Sequence, residues 1–175
     1  MEVKLLLHPR TLFYLIRRLV RQNHAKKIVK SYSGNVFVSG QGRGTFLSRQ
    51  TELGNNTNFN GLEINGTGRV VIGDNFHSGI DCLIITQNHN YEGTEIPYDS
   101  TYIVKDVIIE DNVWLGDRVI ILGGAKIGEG AIIQAGSVVV KDIPPLAIAG
   151  GHPAVPFKYR DREHYEELKS EKRFH

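Results

Sequence analysis

From Ile109 to Ile143 the chain repeats itself every six residues. Isoleucine, leucine or valine stands at Ile109, Leu115, Ile121, Ile127, Ile133 and Val139. Four places after each comes a small or branched residue: Val113, Val119, Ala125, Ala131, Ser137 and Ile143. A helix with 3.6 residues per turn would smear this repeat around its surface, so the period excludes an ordinary helix. It specifies a parallel β-helix, a coil of very short strands stacked on itself. With three hexapeptides to a triangular coil, Ile109 should lie under Ile127, Leu115 under Ile133 and Ile121 under Val139. Each column is then an apolar ladder filling the prism. Gly73, Gly116 and Gly128 each follow an aliphatic residue, where tight corners with positive φ would favour glycine.

Composition bounds the rest. A chain of 175 residues, 41% hydrophobic, supports one buried core rather than two. The formal charge of +2 gives no bulk electrostatic case for nucleic acid. Cys82 is the single cysteine, which excludes an intrachain disulfide and a cysteine-rich metal site. Four places after Ser78, it should point into the prism as a small core residue. The Leu5–Leu7 run, ended by His8 and Pro9, is too short for a signal-peptide core or a membrane span. A cytoplasmic protein is expected.

Three segments follow. Residues 1–35 hold an amphipathic helix over 9–30, with Leu12, Phe13, Leu15, Ile16, Leu19 and Val20 on an apolar face. Its polar face is basic, with Arg17, Arg18, Arg21, Lys26, Lys27 and Lys30. Two roles compete for the apolar face: capping the open end of the coil, or peripheral contact with an anionic membrane. The cap is the expectation, because a soluble prism needs one. Residues 36–157 form the β-helix, with Leu47, Leu53 and Phe59 in frame, a slack corner between Ile64 and Val71, and the frame resuming at Ile72, Ser78 and Ile84. Within it, residues 90–106 have no hexad phase and read as a loop expelled from the coil, a common place for function. Residues 158–175 are a charged tail with one short helix.

The run VIIEDNVWLGDRVIILGGAKIGEGAIIQAGSVVVKDIPPLAIAGGHPA resembles the hexapeptide-repeat acyltransferases. With ITQNHNY at 85–91 it is most similar to the sugar and surface-polysaccharide O-acetyltransferase branch, which includes the galactoside, maltose and nodulation-factor enzymes. The resemblance covers roughly residues 50–158. It implies a left-handed parallel β-helix, a homotrimer with active sites between subunits, and acetyl-CoA as acyl donor without a metal. It also places the catalytic histidine at His89, at the corner before the extruded loop. The chemistry asks for such a base, since a hydroxyl attacks only as its proton is removed.

For the donor, the resemblance places the Asp117 N–H at the thioester oxygen and Ala135 and Val140 along the pantetheine arm. Lys141 and Lys158 match basic residues near the nucleotide, although ordinary solvated lysines fit equally well. Asp117 stands where serine is frequent and Val140 where threonine is frequent; both lose a hydroxyl and keep the backbone groups. Trp114 follows the inner residue Val113, so it should point outward at a corner and pack at the subunit interface beside the cleft. On the acceptor side, Asn58 and Asn60 resemble an N-F-N segment of the galactoside-type sugar site, though stacked asparagines also serve structure alone. Tyr91, Tyr98 and Asp99 on the loop are candidates for sugar contact. His77, expected at a corner, could line the same cleft.

Two other activities use this scaffold: N-acetylation of an amino sugar or antibiotic, and the metal chemistry of the γ-type carbonic anhydrases. The latter needs three convergent histidines. His77 and His89 are twelve residues apart, and no third histidine stands in the regular repeat.

Overall fold

The computed structural model describes residues 9–39 and 41–175, so the Leu5–Leu7 run and His8 lie outside the described residues. Short strands stack into a three-faced parallel β-helix. One face has five strands, from Ser31–Tyr32 through Thr51–Leu53, Val70–Ile72 and Val107–Ile109 to Lys126–Ile127. The second has seven, including Thr57–Phe59, His77–Ser78, Trp114–Leu115, Ile132–Ile133, Ala147–Gly150 and an antiparallel closing strand, Val155–Tyr159. The third has four: Leu62–Asn65, Cys82–Ile85, Ile120–Leu122 and Val138–Val139.

The expected columns are present. Ile109 pairs with Ile127, Leu115 with Ile133 and Ile121 with Val139, all parallel. Every one of these six side chains is buried, as are Val113, Val119, Ala125, Ala131, Ser137 and Ile143. Leu47, Leu53, Phe59, Ile72, Ser78 and Ile84 are buried in the same frame. Cys82 is a core residue, and burial pushes its thiol up to about 11. It stays a protonated small hydrophobe rather than a nucleophile.

The corners correct one expectation. Positive φ falls three places after most column residues, at Asn56, Asn75, Asp81, Asn112 and Arg118 in some repeats and at Gly124, Gly130 and Gly136 in others. Short polar side chains that bond locally tolerate this region. Here they stack: Asn56 Nδ2 donates to Asn75 Oδ1 at 3.0 Å, and Asn75 Nδ2 to Asn112 Oδ1 at 2.9 Å. Gly73, Gly116 and Gly128 serve a different need. A Cβ on Gly116 would stand 2.6 Å from Ala135 N, and one on Gly128 would stand 2.5 Å from Pro145 N. These glycines let successive coils approach.

Residues 90–106 do leave the coil, but not as an unpaired loop. Gln87–His89 and Tyr102–Val104 form an antiparallel hairpin, with His89 opposite Tyr102. It emerges at the corner between the four-stranded and five-stranded faces.

Helix α1 spans Pro9–Ile28. The face expected to cover the coil does not do so. Leu12, Phe13, Leu15, Ile16, Leu19 and Val20 are each 40–62% exposed, and the helix meets the prism through buried Ala25 and the following Val29 instead. Helix α2 spans Arg162–Ser170 and starts at Asp161, whose carboxylate caps His164 N. Tyr165, its buried residue, donates to Glu129 Oε1 at 2.9 Å and binds α2 to the prism beside the Lys169–Glu129 ion pair. Burial works against ionisation of Glu129, but the Lys169 and Tyr165 hydrogen bonds outweigh it and hold its pKa below the ordinary glutamate value.

Candidate active site

The seven-stranded face carries a groove of about 630 Å³, lined in part by Asn60, His77, Trp114, Asp117, Ala135 and Phe157. The ladder builds it. Trp114 lies in register with His77 on one side and Ile132 on the other, and Asn58 lies in register with His77. Outward positions of neighbouring strands thus make one wall. Trp114 is 52% exposed and sits within a strand, not at a corner. His77 is likewise a strand residue.

Asn60 Nδ2 and His77 Nε2 are 3.1 Å apart. An amide NH₂ only donates, so Nε2 accepts and the ring proton resides on Nδ1. Burial, with the nearby charge of His175, lowers the His77 pKa and favours this neutral form. Asp117 has two separate duties. Its carboxylate accepts from Ile80 N at 2.9 Å and ties two coils together. Its backbone N borders Gly79, where an added Cβ would lie 2.6 Å away, so bare glycine keeps the groove edge open.

A second group of residues surrounds the hairpin. Tyr98 stacks on the His89 ring, with centroids 3.9 Å apart and planes 14° from parallel. Tyr102 lies against the same ring at 4.9 Å. Two aromatic rings thus hold an exposed imidazole in place. Tyr91 is exposed on the loop. Asp99 is engaged within the loop: its carboxylate accepts from Thr94 N, Thr101 N and Thr101 Oγ1. The Thr101 bonds hold its pKa below the ordinary aspartate value. These bonds tie together the loop segment between Tyr98 and Tyr102.

The sequence-derived residues therefore sort into two sets. Asn58, Asn60, Trp114, Asp117 and Ala135 occupy the seven-stranded face and its edge. Lys158 belongs beside them, on the closing strand next to groove residue Phe157. His89, Tyr91, Tyr98 and Asp99 belong to the hairpin at the opposite corner, and Val140 and Lys141 follow the last strand of the four-stranded face at that same corner. Sequence reasoning missed Tyr102 and Phe157. The alternation in Tyr102–Val104 was the available signal for the first; Phe157 becomes visible only once the closing strand folds back over Ala147–Gly150. Among the described residues, no three His, Cys, Asp or Glu side chains converge as a metal site.

Comparison with known proteins agrees with this architecture. Residues 106–141 match the family described as bacterial transferase hexapeptide (six repeats). The chain is 32% identical over 132 residues to the galactoside O-acetyltransferase of Lactococcus lactis, covering 74% of this chain and 63% of that enzyme. It spans about half the length of the curated relatives it matches. A hexapeptide-repeat acetyltransferase of Vibrio cholerae superposes with a TM-score of 0.62 at 26% identity, covering 83% of this chain and 81% of that one. The same protein has been solved with acetyl-CoA, and that structure matches with a TM-score of 0.52 at 29% identity over 63% of this chain and 58% of that one. Repeat array and fold together resemble those of the hexapeptide-repeat acetyltransferases.

Proposed function

We propose that this protein is an acetyl-CoA-dependent O-acetyltransferase acting on a carbohydrate hydroxyl in bacterial surface-polysaccharide assembly, and that it works in the cytoplasm as a cyclic homotrimer. The observation carrying the proposal is the division of the candidate residues between one face and the far corner of a single prism. A heterologous contact, the corner of one copy against the face of the next, closes into a ring when repeated. Every candidate residue then borders one cleft. Exposed Val155, Phe157 and Tyr159 on the closing strand, together with Trp114, supply apolar surface for that contact.

In this reading acetyl-CoA lies along the groove of one protomer, its arm passing Ala135 and Trp114. Val140 and Lys141 of the next protomer form the other wall, and Lys158 or Lys141 meets the nucleotide phosphates. The hairpin of the next protomer brings His89 over the thioester. His89 takes the proton of the acceptor hydroxyl as its oxygen bonds to the acetyl carbon. The thioester oxygen becomes an oxyanion that the Asp117 N–H faces. Collapse breaks the C–S bond, and His89 passes the proton taken from the acceptor to the departing sulfur, so CoA leaves as a thiol. The acetyl group thus passes directly from sulfur to oxygen. Asn58 and Asn60 on one side, and Tyr91 and Tyr98 on the other, are placed to hold a sugar, since aromatic rings cover its apolar faces.

Free-thiol release from acetyl-CoA, measured against matched panels of sugars and amino sugars, tests the proposal. Turnover with hydroxyl acceptors is expected. Turnover confined to amines would replace it with N-acetylation, and no turnover with any glycan would reject it.

A further inference from the structure

Helix α1 commits one face to the prism and turns the opposite face outward. Successive helical residues rotate by about 100°. This rotation gathers Arg18, Arg21, Ala25 and Val29 on one side, which meets the coil, and Lys26 adds a contact 5.0 Å from the Tyr32 ring. Ala25 and Val29 are buried, the Arg18 guanidinium lies 5.5 Å from the Phe37 ring, and Arg21 Nη1 donates to Ser39 O at 3.1 Å. Leu12, Leu15, Ile16 and Leu19 fall on the far side, flanked by Phe13 and Val20, all exposed. Contacts through Arg18, Arg21 and Ala25 therefore fix the apolar arc away from its own prism.

We infer that this arc docks on an anionic lipid surface. The helix contains Arg10, Arg17, Arg18, Arg21, Lys26 and Lys27 and no acidic residue, whereas the formal charge of the whole chain is only +2. Arg17 borders the apolar arc, and exposed Lys27 lies in line with it about two turns beyond Val20. Apolar side chains bounded by long basic ones match the boundary between acyl chains and anionic headgroups. Charge selects this partner over a second copy: two such helices face to face would bring only positive charge together. At 20 residues the helix is about 30 Å long, enough to lie flat along a bilayer surface. Among the described residues, no helix is long and apolar enough to cross one. The inference does not rest on acetyl transfer.

The test is co-sedimentation of the full chain with vesicles of phosphatidylcholine alone or mixed equally with phosphatidylglycerol. Two variants accompany it, Ile16→Glu/Leu19→Glu on the apolar arc and Arg17→Glu/Lys27→Glu beside it. Wild-type protein should pellet with the anionic vesicles and release in high salt. Each variant should lose about tenfold or more in vesicle affinity, with melting temperature and light-scattering mass unchanged. Wild-type protein that stays in the supernatant with both vesicle types overturns the inference. So does an Ile16→Glu/Leu19→Glu variant of reduced oligomer mass, which would make the arc a contact between copies.

Discussion

Replacing Ile127 by alanine probes the ladder that organises the molecule. Ile127 is fully buried, paired with Ile109 below and bridged to Ile143 above. The change removes three buried carbons, worth about 0.8 kcal/mol each in transfer free energy, or roughly 2.5 kcal/mol. The coils above and below are hydrogen-bonded in fixed register, so little collapse into the void is available. The cavity then raises the cost to roughly 3–5 kcal/mol. For a chain of this length that lowers the melting temperature by roughly 6–20 °C. The control lies one residue away from the paired column residue: Ile108 points outward and is 40% exposed, so Ile108→Ala should cost under about 1 kcal/mol. Urea denaturation followed by circular dichroism, at matched protein concentration, measures both. Equal losses for the two variants, or a loss below about 1 kcal/mol for Ile127→Ala, would refute the inward assignment of this column.

Other outcomes follow from the same geometry. Gly116→Ala should lower both stability and acetyl-CoA affinity, because its Cβ would meet Ala135 N at 2.6 Å and force adjacent coils apart at the groove; thermal melts and CoA titration read the two effects. Trp114→Ala should raise KM for acetyl-CoA by about tenfold while leaving the melting temperature nearly unchanged, since the ring is half exposed on the groove wall. Glu129 has a folded pKa below its ordinary 4.5, so the stability it contributes is present above that value and is lost as pH falls through the lower folded one. Helix α2 should therefore loosen in acid, read by amide exchange at Tyr165, and Glu129→Gln should flatten that dependence. Acetyl transfer should survive EDTA dialysis, measured by thiol release; activity restored only by zinc would contradict a histidine base acting without metal.

The columns from Ile109 to Val139 were legible because a six-residue period is local and each coil repeats the same inward choice. His89 stood out as a candidate for a different reason: the acyltransferase resemblance places a histidine there, before a phase-free excursion from a regular scaffold. What resisted reading depends on distant pairing. The Gln87–Val104 hairpin, and with it the packing of Tyr98 and Tyr102 on His89, requires strands that meet across a loop. The positive-φ corners escaped because asparagine, aspartate and arginine share that duty with glycine, and the asparagine stack emerges only when coils lie on one another. The apolar arc of α1 was legible, but its direction was not. Arg18 on Phe37 and Arg21 on Ser39 O decide that direction, and neither partner is adjacent in sequence.

The most direct test of the shared cleft is complementation between two inactive variants. His89→Ala should remove the proposed base, and with it about 10²–10⁴-fold of the rate. Ala135→Trp fills the exposed groove of the other set without entering the core. In mixed trimers refolded from equal amounts, about a quarter of the clefts should pair an intact hairpin from one variant with an intact groove from the other. Thiol release should then return to about a quarter of the wild-type rate, although each variant alone is nearly silent. Mixed trimers no more active than the separate variants, with oligomer mass and melting preserved, would contradict a site built between protomers.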